Sequence, residues 1–152
     1  MKRLLLLTLC LPVAAMSQDL MQTAQRFIGT LNPQQQKKAV YSSNSEEKYN
    51  WHFFPKNDRK GIPIGELNEQ QRKAAFDLVR FCFSDRGSQK ITDIIALEAV
   101  LKSLEGRSPG DQYRDSGKYY FILFGAPSEK NAWGWRLEGH HLSFTFTAKN
   151  NK

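Results

Sequence analysis

Cysteine is nearly missing from this sequence, and the two that occur cannot pair in a mature protein. Cys10 lies in an N-terminal leader and Cys82 in the middle of the chain. With the leader removed, Cys82 stands alone and no intrachain disulfide is possible, even in an oxidising compartment. It lies within the apolar run FDLVRFCFS and reads as a small buried hydrophobe rather than a nucleophile. Histidine is as scarce: His52, His140 and His141 are all there are, so any imidazole chemistry must use these positions. After the first residues no apolar run approaches transmembrane length. Basic residues exceed acidic ones, 22 against 15, but they are scattered. Without a basic block or an arginine-rich helix, nucleic acid is excluded as a partner and the charge reads as ordinary solubility. No complete catalytic motif is present.

What is there begins with MKRLLLLTLCLPVAAMSQ. Lys2 and Arg3 form a basic start, Leu4 to Ala15 an apolar segment, and Ala15, Met16 and Ser17 a small-x-small cleavage site, the pattern of a secretory signal peptide. Cys10 does not make a lipoprotein site, because Leu9 stands where a small residue is wanted. The expected organisation is a signal peptide over 1–17 and a single domain over 18–152, exported to the periplasm or the extracellular space and holding no membrane anchor. Loss of Lys2 and Arg3 takes the formal charge from +7 to +5. About 135 residues then remain, enough for one core.

The spacing predicts a short helix over Asp19–Ile28, ended at Gly29. Two similar strings follow, LNPQQQKKA at 31–39 and LNEQQRKAA at 67–75. Asn32 and Asn68 read as N-caps, with Gln35 and Gln71 three residues on, as in a capping box. Two similar helix starts explain the likeness more simply than an ancient duplication. Between them Tyr49–Phe54, YNWHFF, reads as a strand carrying His52, broken by Pro55 and the basic loop KNDRKGIP. A helix is expected from Glu69 to about Phe83, stopping near Gly87 and burying Phe76, Val79, Phe83, Ala75 and Cys82. A second is expected from about Gln89 to Leu104, with an apolar face of Ile91, Ile94, Ile95, Val100, Leu101 and Leu104. Helices first and strands afterwards give an α+β fold, with helices on one side of a small antiparallel sheet and a C-terminal β-hairpin.

That hairpin pairs Tyr119–Phe124 with a strand beginning at Trp133. Trp133, Trp135 and Leu137 share one face, and Gly134, Arg136 and Glu138 the other. Past Gly139 the phase reverses, because Leu142, Phe144 and Phe146 share parity with Arg136. Read as one continuous strand, this requires an extra residue, so a β-bulge is expected at Glu138–His140. A bulge there aims Glu138, His140 and His141 at a common site, with Arg136 near an anionic substrate group. His52, His140 and His141 are the candidate ligands of a divalent transition metal, and Glu138 a ligand or base. The plainer reading keeps one histidine as a satisfied polar group and the other on the surface.

The strings NWHFFP, RKGIPIGELNEQQRKAA, YYFILFGAPS and WGWRLEGHHLSFTFT resemble the exported, uncharacterised proteins grouped as domain of unknown function 3500. The similarity covers nearly all of the chain after the leader. It implies no particular activity, and it implies that the chain corresponds to an N-terminal portion of a longer family domain. Two function classes follow from the residues. One is a metal-dependent or acid–base enzyme, hydrolase-like, built on Glu138, His140, His141 and Arg136. The other is a non-catalytic binding module offering Trp51, Trp133 and Trp135 to a sugar, a peptide or a partner protein.

Overall fold

The computed structural model describes residues 12–149, with side chains from Leu20 onward. The leader expectation, 1–17, falls largely outside them, since 1–11 are not described. The first helix, α1 (Pro12–Thr30), starts earlier than expected; Ala14, Ala15 and Met16 are all good helix formers and continue it towards the N-terminus. Helix α2 (Pro33–Ala39) and helix α3 (Glu69–Cys82) open with the predicted capping boxes at Asn32 and Asn68. The two boxes also touch. The Gln35 and Gln71 amides exchange hydrogen bonds of 3.1 and 2.7 Å, so the similar strings lie side by side in space.

Helix α4 (Asp85–Leu104) begins four residues before the expected Gln89, because Ser84 caps it by accepting from Gly87 N–H. Gly87 is therefore inside α4 and is no stop signal. Only part of the expected face of α4 meets the core: Ile91 and Ile95 are buried, whereas Val100 and Leu104 are exposed. On α3, Ala75, Leu78 and Val79 are buried, with Phe76, Cys82 and Phe83 partly buried against them.

The sheet is mixed rather than antiparallel. Strands β3 (Tyr120–Phe124), β4 (Trp133–Gly139) and β5 (Leu142–Ala148) form an antiparallel meander, and β2 (Ile62–Pro63) also runs antiparallel to β3. The short β1 (Val40–Tyr41) lies parallel to β3 on its other side, carried there by α2.

The phase reversal at Gly139 has a different cause from the expected bulge. Gly139 pairs with Leu142, so His140 and His141 are the two residues of a tight hairpin turn and the chain doubles back. Trp135 and Phe146 then face each other across neighbouring strands, rings stacked at 5.2 Å, with Phe121 stacked at 6.1 Å on the other side. This aromatic layer packs under α1 and α3 through Phe27, Phe76 and Phe83, the last at the C-terminal cap of α3.

The opposite face of the sheet is covered by residues 42–61. The expected strand over Tyr49–Phe54 is absent: a 3-10 turn at Glu46–Tyr49 leads into irregular chain. Its backbone is tied to the sheet by side chains rather than by a ladder. Arg136 is fully buried, its Nη1 donating to Glu47 O at 2.8 Å and its Nη2 to Glu47 Oε1 at 2.7 Å. Glu138 accepts from Arg59 Nη1 at 3.0 Å and from the His52 N–H at 3.3 Å. Arg136 Nε lies 3.3 Å from Glu138 Oε2 but out of line for a hydrogen bond. Two carboxylates and two guanidiniums make this buried cluster formally neutral, the condition for burying charge at tolerable cost.

Candidate functional site

The four residues expected to share a site are divided between two places. Glu138 and Arg136 belong to the buried cluster and are occupied by Glu47 and Arg59, so neither reaches a substrate. Their role is to fasten the 42–61 segment. The His52 ring turns away to Asn50 Oδ1, 3.0 Å from Nε2, and packs against Phe54. Among the described residues no three His, Cys, Asp or Glu side chains gather as a metal site, so His52, His140, His141 and Glu138 do not form the expected ligand set. Trp133 and Trp135 are core residues, 4% and 1% exposed, which removes them from the binding reading as well.

His140 and His141 do come together. Adjacent residues on a regular strand would point apart, but the turn stacks the rings with centroids 4.0 Å apart. His141 takes φ 108°, a left-handed conformation that favours glycine or asparagine. Its N–H donates to Phe53 O at 2.8 Å and to Gly139 O at 3.0 Å. Gly139 must be glycine, since an added Cβ would lie 2.3 Å from the Tyr119 ring. That ring in turn supports the turn, its hydroxyl donating to His140 O at 2.7 Å.

His140 Nδ1 meets a residue the sequence reading passed over. Glu98 Oε1 is 2.8 Å away, and Glu98 is 3% exposed. Arg114 Nη1 also lies 3.0 Å from Nδ1, and the ring nitrogen cannot donate to one and accept from the other at once. The ionised carboxylate is the stronger partner, which assigns the proton to Nδ1 and leaves Nε2 with the lone pair. Arg114 is fixed instead by Glu105, with Nε and Nη2 both on Oε1 at 3.0 and 2.6 Å. Hydrogen bonds from Arg114 and Arg107 hold the Glu105 carboxyl down at about 2. Burial, with Glu98 beside it, pushes the Tyr119 phenol well above its usual range, so it remains a donor.

The other Glu98 oxygen, Oε2, is buried without a hydrogen-bond partner; Arg114 Nη1 is 3.6 Å away, beyond hydrogen-bond reach. Glu98, His140 and Tyr119 line a cleft of about 30 Å³ together with Lys56, Arg59, Asp115 and Lys118. Its volume admits a water molecule or the tip of a ligand. Beside it the 42–61 segment exposes Tyr49, Trp51, Phe53 and Phe54, Trp51 being 51% exposed.

One signal could have found Glu98. It stands three residues after Ile95 and seven after Ile91, on the buried stripe of α4, and a carboxylate at helical spacing among core isoleucines needs a partner. Arg114, Lys56 and Lys118 come from polar loops and carry no such mark.

A family model described as "Protein of unknown function (DUF3500)" matches residues 14–152. No curated protein and no solved structure matches the chain.

Proposed function

The chain belongs to the family described as Protein of unknown function (DUF3500), and from that premise we propose that it is an exported protein with a single-histidine acid–base site, hydrolase-like, at the β4–β5 turn. The observation that carries the reading is the buried Glu98 carboxylate, which holds His140 Nδ1–H with one oxygen and leaves the other unpartnered in the cleft wall. His140 is the catalytic residue, with Nε2 as the base that takes a proton from water or from a substrate hydroxyl. Glu98 is a positioning residue: it sets the tautomer and stabilises the imidazolium once the proton is taken. Lys118 lines the cleft and forms no ion pair among the described residues, which favours a substrate that develops negative charge.

Hydrolysis of p-nitrophenyl acetate, followed in wild type, His140→Gln, Glu98→Gln and His141→Gln, tests this. His140→Gln is expected to lower kcat/KM at least 100-fold, a general base contributing about 10² to 10⁴. Glu98→Gln lowers it less, since the ring keeps a hydrogen-bond acceptor but loses the charge that stabilises the imidazolium. His141→Gln stays near wild type. Equal rates in all four proteins would sink the reading.

A second reading has its own support. Tyr49, Trp51, Phe53 and Phe54 are exposed together, and flat aromatic surface of this kind suits a sugar or an apolar peptide. On that reading the protein is a binding module that uses Trp51 in place of the three tryptophans first considered. It becomes the better one if the esterase rates do not differ.

A further inference from the structure

A larger cavity, of about 390 Å³, lies between α3 and α4. Ile64, Phe76, Ile95 and Ala96 form its apolar walls, and Arg72 and Arg80 border it. The volume lies within the range of small-molecule sites, roughly 300 to 1,000 Å³. The two arginines differ. Arg80 shares the Asp77 carboxylate with Lys73, so its guanidinium is already engaged in an ion cluster on α3. Arg72 donates from Nη2 to Ile64 O at 3.2 Å and forms no ion pair among the described residues. No carboxylate lines the cavity. An apolar chamber bordered by a guanidinium with no carboxylate partner, that of Arg72, is complementary to a ligand with an apolar body and a negative charge, for which arginine offers paired N–H donors.

We infer that the α3–α4 cleft binds a small amphiphilic carboxylate, with the apolar body against Phe76 and Ile95 and the carboxylate on Arg72. The assignment does not rest on the His140 site. Ile95 and Glu98 are on the same helix but line different cavities.

Calorimetric titration with sodium octanoate, and with 1-octanol as the uncharged analogue, tests it on the full chain. Wild type is expected to bind octanoate at least tenfold more tightly than octanol. Arg72→Gln, at an exposed position, abolishes that preference while leaving octanol binding in place. Ala96→Trp, also from an exposed position, fills the chamber and removes both. Thermal midpoints of the variants within a few degrees of wild type show that the fold is kept. No octanoate binding to wild type, an unchanged preference in Arg72→Gln, or undiminished binding in Ala96→Trp would each overturn the inference. His140→Gln leaves octanoate binding unchanged, so a failure here is separate from a failure of the acid–base reading.

Discussion

His141 is where a single residue carries the most tension. Its φ of 108° costs a side chain with a Cβ about 1 to 2 kcal/mol, and a two-residue hairpin ordinarily uses glycine or asparagine at such a position. What holds the conformation is visible: the N–H bond to Phe53 O and the ring stacked on His140. Glycine keeps the N–H and relieves the strain but adds freedom to the unfolded chain, roughly 0.5 to 1 kcal/mol. His141→Gly is therefore expected to raise stability by about 0.5 kcal/mol in urea unfolding. A loss of stability would mean that the stacked pair outweighs the strain, and that the histidine is kept for the ring. The Cys82 thiol is a simpler case, since burial pushes it up to about 11 and leaves it a packing residue, as its apolar surroundings in the sequence indicate.

At the scale of elements, β4 is the strand on which both halves of the molecule depend. One face sends Trp133, Trp135 and Leu137 to the helices; the other sends Arg136 and Glu138 to the 42–61 segment. That segment has few apolar anchors and no ladder, so the buried ion cluster decides whether it stays down. Arg136→Met leaves Glu47 without its partner and unbalances the cluster. The expected cost is about 3 kcal/mol, the usual scale for breaking a buried pair from one side, measured by urea unfolding. Limited proteolysis should also show faster cleavage within 42–61 than elsewhere. A loss under 1 kcal/mol with an unchanged cleavage pattern would contradict the fastening role. The same dependence reaches the site, because Pro55, Lys56 and Arg59 form part of the cleft around His140.

For the molecule as a whole, export requires that the fold survive removal of residues 1–17. Among the side chains described, the buried residues of α1, Thr23, Ala24 and Phe27, all lie after residue 17. N-terminal sequencing of the protein from its native host is expected to begin near Gln18, and the 18–152 form to unfold within a few degrees of the full chain. An intact Met1 on a cytosolic product would end the export reading. Much of this architecture was legible in local pattern. Capping boxes, apolar spacing and strand alternation are properties of short stretches, so α2, α3, the β3–β4 hairpin and the α+β class could be read directly. The same period-two rule that found Trp133, Trp135 and Leu137 also detected the reversal at Gly139. A phase change, however, has two physical causes, an inserted residue or a reversal of chain direction, and alternation alone does not separate them. YNWHFF looked like a strand because aromatic residues favour pleated surfaces, yet in the folded chain it is irregular and belongs to the segment that covers the sheet. The site was divided in the same way. The histidines at the turn were visible as scarce residues beside an irregularity, but their partner Glu98 lies 42 positions away on a helix. Which carboxylate meets which imidazole is set by how α4 packs across the sheet, a long-range fact that no local stretch encodes. The sequence by itself determined the capped starts of α2 and α3, the β3–β4 hairpin and the α+β class; the tertiary structure decided that Glu138 and Arg136 are buried fasteners and that Glu98 and His140 share the cleft, because burial and pairing depend on surfaces brought together only in the folded chain.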